Sequence, residues 1–185
     1  MAVAGTHGKT TTSTMTAHIF DASGVGCSAF LGGISKNTGS NLMVSPNDVI
    51  VAEADEFDRS FLQLFPETAV ITAMDADHLD IYNDIEHVHE AFKSFASQVS
   101  GNIVKKYGLD ITVSDTKAKI YTYSYDDVRS DFHAVNIHRD DFGHFIYDII
   151  WPKGRIEAVR CGIPGWVNVE NSIAAAAIAL LYGIE

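Results

Sequence analysis

The stretch Ala2-Val3-Ala4-Gly5-Thr6-His7-Gly8-Lys9-Thr10-Thr11-Thr12 constrains the fold of this chain more than any other. Small apolar residues lead into a turn bounded by glycines, and the turn delivers a lysine and a run of threonines into an amphipathic segment. This order predicts a buried strand, a tight loop and the N-terminus of a helix. Glycines at 5 and 8 let the backbone amides curl inward, and the helix start adds the positive end of its dipole. A loop of this kind is sized for phosphate, so Gly5, Thr6, His7, Gly8, Lys9, Thr10 and Thr11 are the candidate nucleotide-binding residues. Lys9 reaches terminal phosphates as a point charge, and the Thr10 hydroxyl suits a magnesium ion. Val3 stands where the longer G-x-x-x-x-G-K-[ST] pattern has its first glycine, which leaves the shorter G-x-x-G-K-T form. A glycine turn before an ordinary helix is the competing reading. The strand before the loop and the helix after it favour nucleotide.

Two further strands end in acids. Val49-Ile50-Val51-Ala52 is a continuous apolar run, as expected of a strand buried on both faces, and it leads into Glu53-Ala54-Asp55-Glu56-Phe57-Asp58. Ala69-Val70-Ile71-Thr72-Ala73-Met74 repeats the pattern and leads into Asp75-Ala76-Asp77-His78-Leu79-Asp80. Open α/β sheets bind ligands beyond the carboxyl ends of their strands, so both acidic segments point at one crevice. An isolated acidic run is usually only a solvated loop. Beside a phosphate loop a carboxylate of the first segment can complete a magnesium site, and His78, flanked by Asp77 and Asp80, is a candidate metal or phosphate ligand.

The rest of the chain reads as scaffold. A helix is expected from Gly8 to about Ala22, with Met15, Ile19 and Phe20 as its apolar stripe, and another from Ile85 to Val99. The polar loop Ser35–Asn41 follows Gly32-Gly33, a pair that allows close backbone approach to a ligand. Asn102–Val104 is read as a further parallel strand. Lys119–Tyr125 alternates, and Phe132–Val135 and Phe145–Trp151 are expected to be antiparallel, joined by a turn at Arg139–His144. His18, His133, His138 and His144 lack metal-ligand framing. Asn168 is the expected cap of a closing Ala-rich helix that ends near Leu181. The fold expected is therefore α/β, a P-loop-type, mostly parallel sheet flanked by helices, with a small antiparallel β subregion in the C-terminal half.

Composition narrows the class. With 185 residues, 46% of them hydrophobic, the chain can build one full core. Thirteen basic against twenty-four acidic residues give a formal charge of −11, which argues against nucleic acid as a partner. An acidic protein that binds phosphate must do so locally, through a loop and a metal ion. No run reaches membrane-spanning length and no leader resembles a signal peptide, so no membrane partner is expected. Cys27 and Cys161 stand far apart, as suits small buried residues in a reducing cytoplasm. Both ends look cut: the first strand has almost no lead-in, and the chain stops just after a helix. The expectation is one domain, residues 1–185, excised from a longer enzyme.

Taken together these motifs resemble the central ATPase domain of the Mur ligases, the ATP-dependent amide-bond formers of peptidoglycan synthesis. The resemblance rests on Gly5–Thr12, Glu53–Leu62, Asp77–Asp80 and the closing Pro164-Gly165-Trp166-Val167-Asn168-Val169-Glu170-Asn171, and it covers essentially the whole chain. The Thr6-His7 pair and the Glu53–Glu56 string look most like the branch that joins UDP-N-acetylmuramate to L-alanine. The branch that recycles murein tripeptide is the near alternative. The resemblance implies that ATP activates the muramoyl carboxylate as an acyl phosphate, which the L-alanine amine attacks. It implies catalytic roles for Lys9, Glu53 and His78, one magnesium on Thr10 and Glu53, a second on Glu53 and His78, and adenine beside Asn168 and Asn171. Val167 departs from the family motif, which has histidine there. Lys93 lies about where several members carry a carbamoylated lysine, but the L-alanine branch is not expected to depend on it, and Lys93 is read as a surface residue. The family also holds its nucleotide-sugar and amino acid mainly on N- and C-terminal domains that this chain lacks, so the domain alone is expected to turn over negligibly. A P-loop switch is the reading from another class. It would need a guanine-reading motif such as N-K-x-D, which is absent from the sequence.

Overall fold

In the computed structural model, residues 1–75, 85–112 and 114–184 are described. In chain order the elements are β1 (Ala2–Ala4), α1 (Lys9–Ala22), β2 (Ser28–Phe30), β3 (Leu42–Met43), β4 (Ile50–Ala54), a 3₁₀ helix (Phe57–Gln63), β5 (Thr68–Ile71), α2 (Ile85–Ser97), β6 (Asn102–Lys106), β7 (Lys119–Ser124), β8 (Phe132–Arg139), β9 (Phe145–Trp151), β10 (Gly154–Cys161) and α3 (Trp166–Tyr182). The strands form one sheet in the order β10-β9-β8-β7-β6-β5-β1-β4-β2-β3. Pairing is parallel from β2 through β4, β1, β5, β6 and β7 to β8. It is antiparallel in β8-β9-β10 and in the short β2–β3 pair.

Strand β1 shows why the centre of the sheet is apolar on both faces. Ala2 and Ala4 belong to a cluster with Ile71, Phe92 and Phe95, whereas Val3 belongs to one with Phe20, Val70, Val104 and Ile173. Successive side chains point to opposite faces, so helices covering both sides leave no polar position on the strand. Helices α1 and α3 cover one face, and α2 with the 3₁₀ helix covers the other. On that second face Phe61 stacks on Phe95 at 5.1 Å and meets Phe92 edge-on at 5.2 Å.

Helix α1 buries a face offset from its expected stripe, since Met15 and Ile19 are only half-buried and line a groove. Phe20 is fully buried, but Thr12, Ser13, Thr16 and Ala17 are buried with it. Two of the three hydroxyls are carried inside by bonding back to the helix: Ser13 Oγ donates to Thr10 O at 3.1 Å and Thr16 Oγ1 to Thr12 O at 2.8 Å, whereas Thr12 Oγ1 is buried without a partner. That device lets a polar-looking helix start pack against the sheet.

Three differences from the sequence expectation stand out. Strand β10 is an added edge strand whose burial pattern is mostly exposed, so its sequence carries no apolar run to announce it. The β2–β3 pair adds antiparallel structure in the N-terminal half as well, through two short strands. Helix α3 begins at Trp166 rather than being capped by Asn168. Its cap is Gly165, with φ 102°, a conformation that side chains rarely adopt, and Asn168 sits in the first turn, donating to Pro164 O at 2.6 Å.

Candidate functional site

The loop between β1 and α1 leaves the sheet at its topological switch point. From β1 the chain crosses to β2 on one side, and β5 then pairs with β1 on the other. The carboxyl ends of β4, β1 and β5 therefore face one crevice. Gly5, with φ 136°, lies so close to β5 that a β-carbon there would stand 2.1 Å from Thr72 Oγ1 and 2.8 Å from Ala73 N. Thr6 N donates to Ala73 O at 3.2 Å, and Asp75 N donates to Thr6 Oγ1 at 3.2 Å. Thr72 Oγ1 touches Ala4 O at 3.1 Å and also meets His7 O. The loop is thus clamped onto the end of β5, and its closing residue, Gly8, turns into α1 at φ 80°.

The clamp aims the functional side chains. Thr10 Oγ1 donates to Glu53 Oε1 at 3.0 Å, and Gly32 N donates to Glu53 Oε2 at 2.8 Å. Glu53 is held on both oxygens, one by the α1 start and one by the loop after β2. A β-carbon on Gly32 would stand 2.4 Å from Glu53 Oε2, so the glycine pair serves a carboxylate of the chain itself. Lys9 Nζ donates to Gly5 O at 2.9 Å and lies 2.8 and 3.0 Å from the two oxygens of Glu56. Asp55 stands further away, at 3.9 Å. His7 is exposed and lies 3.8 Å from Asp75, and Thr11 lines the neighbouring groove.

Of the residues expected to act together, Thr10, Glu53 and Lys9 converge at the loop. Asn171 is buried against it, with Oδ1 2.7 Å from where a β-carbon of Gly8 would be. Asn168 lies one turn earlier on α3, half-buried. Asp77, His78 and Asp80 lie outside the described residues. The sequence reading gave no role to Thr72 or to Glu56. Thr72 was visible only as a hydroxyl inside an apolar strand. Glu56 was hidden among neighbouring carboxylates.

The donor set at Glu53 suits a hard divalent cation. A carboxylate and a hydroxyl oxygen already touch, and such oxygens are what magnesium takes from protein when substrate phosphates supply the rest. Among the described residues no cluster of three or more His, Cys, Asp or Glu forms a metal site.

From Thr10 and Thr11 a groove of about 920 Å³ runs between α1, α3 and the β9–β10 hairpin. Its floor is apolar, with Ile149, Ala176 and Leu180, and Tyr147 and Ser172 bond to one another in its wall. Burial raises the Tyr147 phenol to about 12, so it is neutral near neutral pH. Ser35, Lys36 and Asn37 line the opposite side, with Asn37 3.1 Å from His18.

Lys93 is half-exposed on α2 and pairs with Asp110 at 3.0 Å, which raises its pKa. Both cysteines are free and buried. No helix among the described residues is long and apolar enough to cross a membrane.

Comparisons with known proteins bear on the family and the fold. The family model of the Mur ligase middle domain matches residues 3–179. The chain is 48% identical over 188 residues to a UDP-N-acetylmuramate–L-alanine ligase of Phocaeicola vulgatus, covering 100% of this chain and 40% of the relative. Among solved structures it resembles UDP-N-acetylmuramate-alanine ligase MurC of Thermotoga maritima (TM-score 0.82, 24% identity, 99% of this chain and 41% of that one). It also resembles UDP-N-acetylmuramate:L-alanyl-gamma-D-glutamyl-meso-diaminopimelate ligase of Neisseria meningitides (TM-score 0.84, 25% identity, 100% of this chain and 61% of that one). The chain therefore spans about 40% of the length of its curated relative. With the matched region running almost from end to end, the chain belongs to the Mur ligase middle-domain family.

Proposed function

We propose that this chain is the ATP- and magnesium-binding unit of a cytoplasmic ligase that joins UDP-N-acetylmuramate to L-alanine in peptidoglycan precursor synthesis. The observation that carries the reading is the contact of Thr10 with Glu53 beside Lys9, at the switch point of a parallel sheet. The loop amides and the α1 N-terminus would bind the phosphate chain, and Lys9 would balance charge on its terminal groups. Thr10 and Glu53 would hold one magnesium, and Glu53 with His78, the latter assigned on its motif alone, would serve a second. When bound, the ion neutralises phosphate charge. Asn168 and Asn171 on α3 would face adenine, since side-chain amides pair with its amino group and ring nitrogen. UDP-N-acetylmuramate and L-alanine would be held largely by N- and C-terminal domains outside this chain, so that the domain by itself turns over negligibly.

Two measurements test this. Calorimetric titration of ATP with magnesium should show metal-dependent binding that is lost in Lys9→Ala. A folded protein that binds no nucleotide in its full-length form would sink the reading. In the full-length protein, phosphate release from ATP should require both UDP-N-acetylmuramate and L-alanine. Release driven by the murein tripeptide instead would assign the chain to the recycling branch. Nucleotide binding without any such turnover would leave a regulatory P-loop module.

A further inference from the structure

An ammonium group has three N–H donors. Around Lys9 Nζ stand three acceptors at bonding distance: Gly5 O at 2.9 Å, Glu56 Oε1 at 3.0 Å and Glu56 Oε2 at 2.8 Å. The amine that should grip phosphate is saturated by the chain itself. Its partner is not a passing surface acid. Glu56 is 1% exposed and the Lys9 side chain 13%.

The two partners differ in freedom. Glu56 is built into the start of the 3₁₀ helix, where its carbonyl accepts from Arg59 N at 3.0 Å and Phe61 N bonds Asp55 O at 2.9 Å. Phe61, in turn, is locked between Phe92 and Phe95. Lys9 instead ends a flexible four-carbon stem at the mouth of the loop. A phosphate oxygen reaching Lys9 must therefore accept a hydrogen bond now given to Glu56, and it is the lysine that swings.

We propose that Glu56 is the resident counter-anion of Lys9, a positioning residue that holds the amine in a latched state and that nucleotide must outcompete. This rests on the nucleotide reading above. Exchange of Glu56 for phosphate oxygens is then a step of binding. The latched population lowers the apparent affinity by the fraction of molecules whose lysine is released.

The test compares full-length wild type, Glu56→Gln, Lys9→Met and the double variant in titrations with magnesium-ADP and magnesium-ATP. Glutamine keeps the shape of the side chain but removes its charge. It should tighten nucleotide binding about fivefold to tenfold, on the order of one charge-assisted hydrogen bond. The gain should require Lys9: Lys9→Met and the double variant should both bind too weakly to titrate. Unchanged or weaker binding in Glu56→Gln overturns the latch while leaving the nucleotide reading intact. If wild type binds no nucleotide, that reading fails separately, and the latch is read from Lys9 alone. Acylation of Lys9 by an amine-reactive reagent, mapped by mass spectrometry, should then be several-fold faster in Glu56→Gln than in wild type. Equal rates overturn the proposal.

Discussion

Thr10 and Glu53 are 43 residues apart in the chain, yet their side-chain oxygens meet at 3.0 Å. The contact exists because β1 and β4 pair in parallel with Val3 opposite Glu53, so the loop after one strand stands over the end of the other. The expected magnesium site of Thr10 and Glu53 depends on that juxtaposition.

The first prediction concerns the glycine that steadies Glu53. Gly32 is not in the left-handed region, so alanine there is opposed by space alone, with its β-carbon 2.4 Å from Glu53 Oε2. Gly32→Ala should displace the carboxylate and lose the amide bond that holds it. Metal-dependent nucleotide affinity should fall about tenfold or more, the order of a charge-assisted bond, with a nearly unchanged melting temperature. Titration with and without magnesium, beside a thermal melt, checks both halves.

A second prediction separates stability from binding at the Lys9–Glu56 pair. Removing one partner of a buried ion pair leaves the other uncompensated, whereas neutralising both does not. Lys9→Met should lower stability by about 3 kcal/mol. Lys9→Met with Glu56→Gln should recover most of that loss while still failing to bind nucleotide. Urea unfolding of the three proteins tests it. A single variant as stable as wild type would show that the pair is not desolvated in solution.

Acid should act through the C-terminal hairpin. Asp148 is buried in the middle of β9, where Ala158 N donates to it at 2.8 Å, Arg155 Nη2 at 2.6 Å and Asn136 Nδ2 at 2.7 Å. The Ala158 amide, then Arg155 and Asn136, hold its pKa down to about 2. Its folded value lies below the unfolded one of about 3.9, so its stabilisation is complete above that pH and is lost as pH falls toward 2. Asp127, held by Arg129, shares the same range. Asp148→Asn should be less stable than wild type at neutral pH and should show a flatter stability curve between pH about 4 and about 2. Equilibrium unfolding across that range is the check.

The same aspartate pins two bulges. The register of β9 with β8 shifts between Val135 and His138, and with β10 between Ile156 and Val159. Within these shifts Asn136 has φ 56° and Ala158 has φ 54°. Alanine pays about 1 kcal/mol for that conformation, and glycine does not. Ala158→Gly should therefore be neutral or stabilising by up to about 1 kcal/mol, unlike most glycine substitutions in strands. Thermal melts of the single variant decide it.

Much of the central sheet could be read from local pattern. Val3, Val51 and Val70 lie in continuous apolar runs because helices cover both faces of their strands, and a run buried on both sides needs no alternation. The α1 start was legible for a different reason: two glycines and a lysine in a short span permit few backbone paths. Strand β10 was not legible. It lies at the sheet edge, where exposed Arg155, Glu157 and Arg160 satisfy no burial pattern, and only the hairpin to β9 specifies it. Asn168 misled for a local reason, since a good capping residue stood near the helix start while Gly165 supplied the turn.

Residue type and spacing along the chain therefore sufficed to establish a phosphate loop, acids at the strand ends and a covered parallel sheet, because each depends on neighbours within a few positions. The partners within the site were decided by tertiary structure. That Gly32 grips Glu53, that Thr72 clamps the loop and that Glu56 rather than Asp55 holds Lys9 follow from which strands lie side by side. Several carboxylates in one short segment are chemically alike until the 3₁₀ helix turns one of them inward and buries it. Burial and direction belong to the packed chain, and no local pattern encodes them.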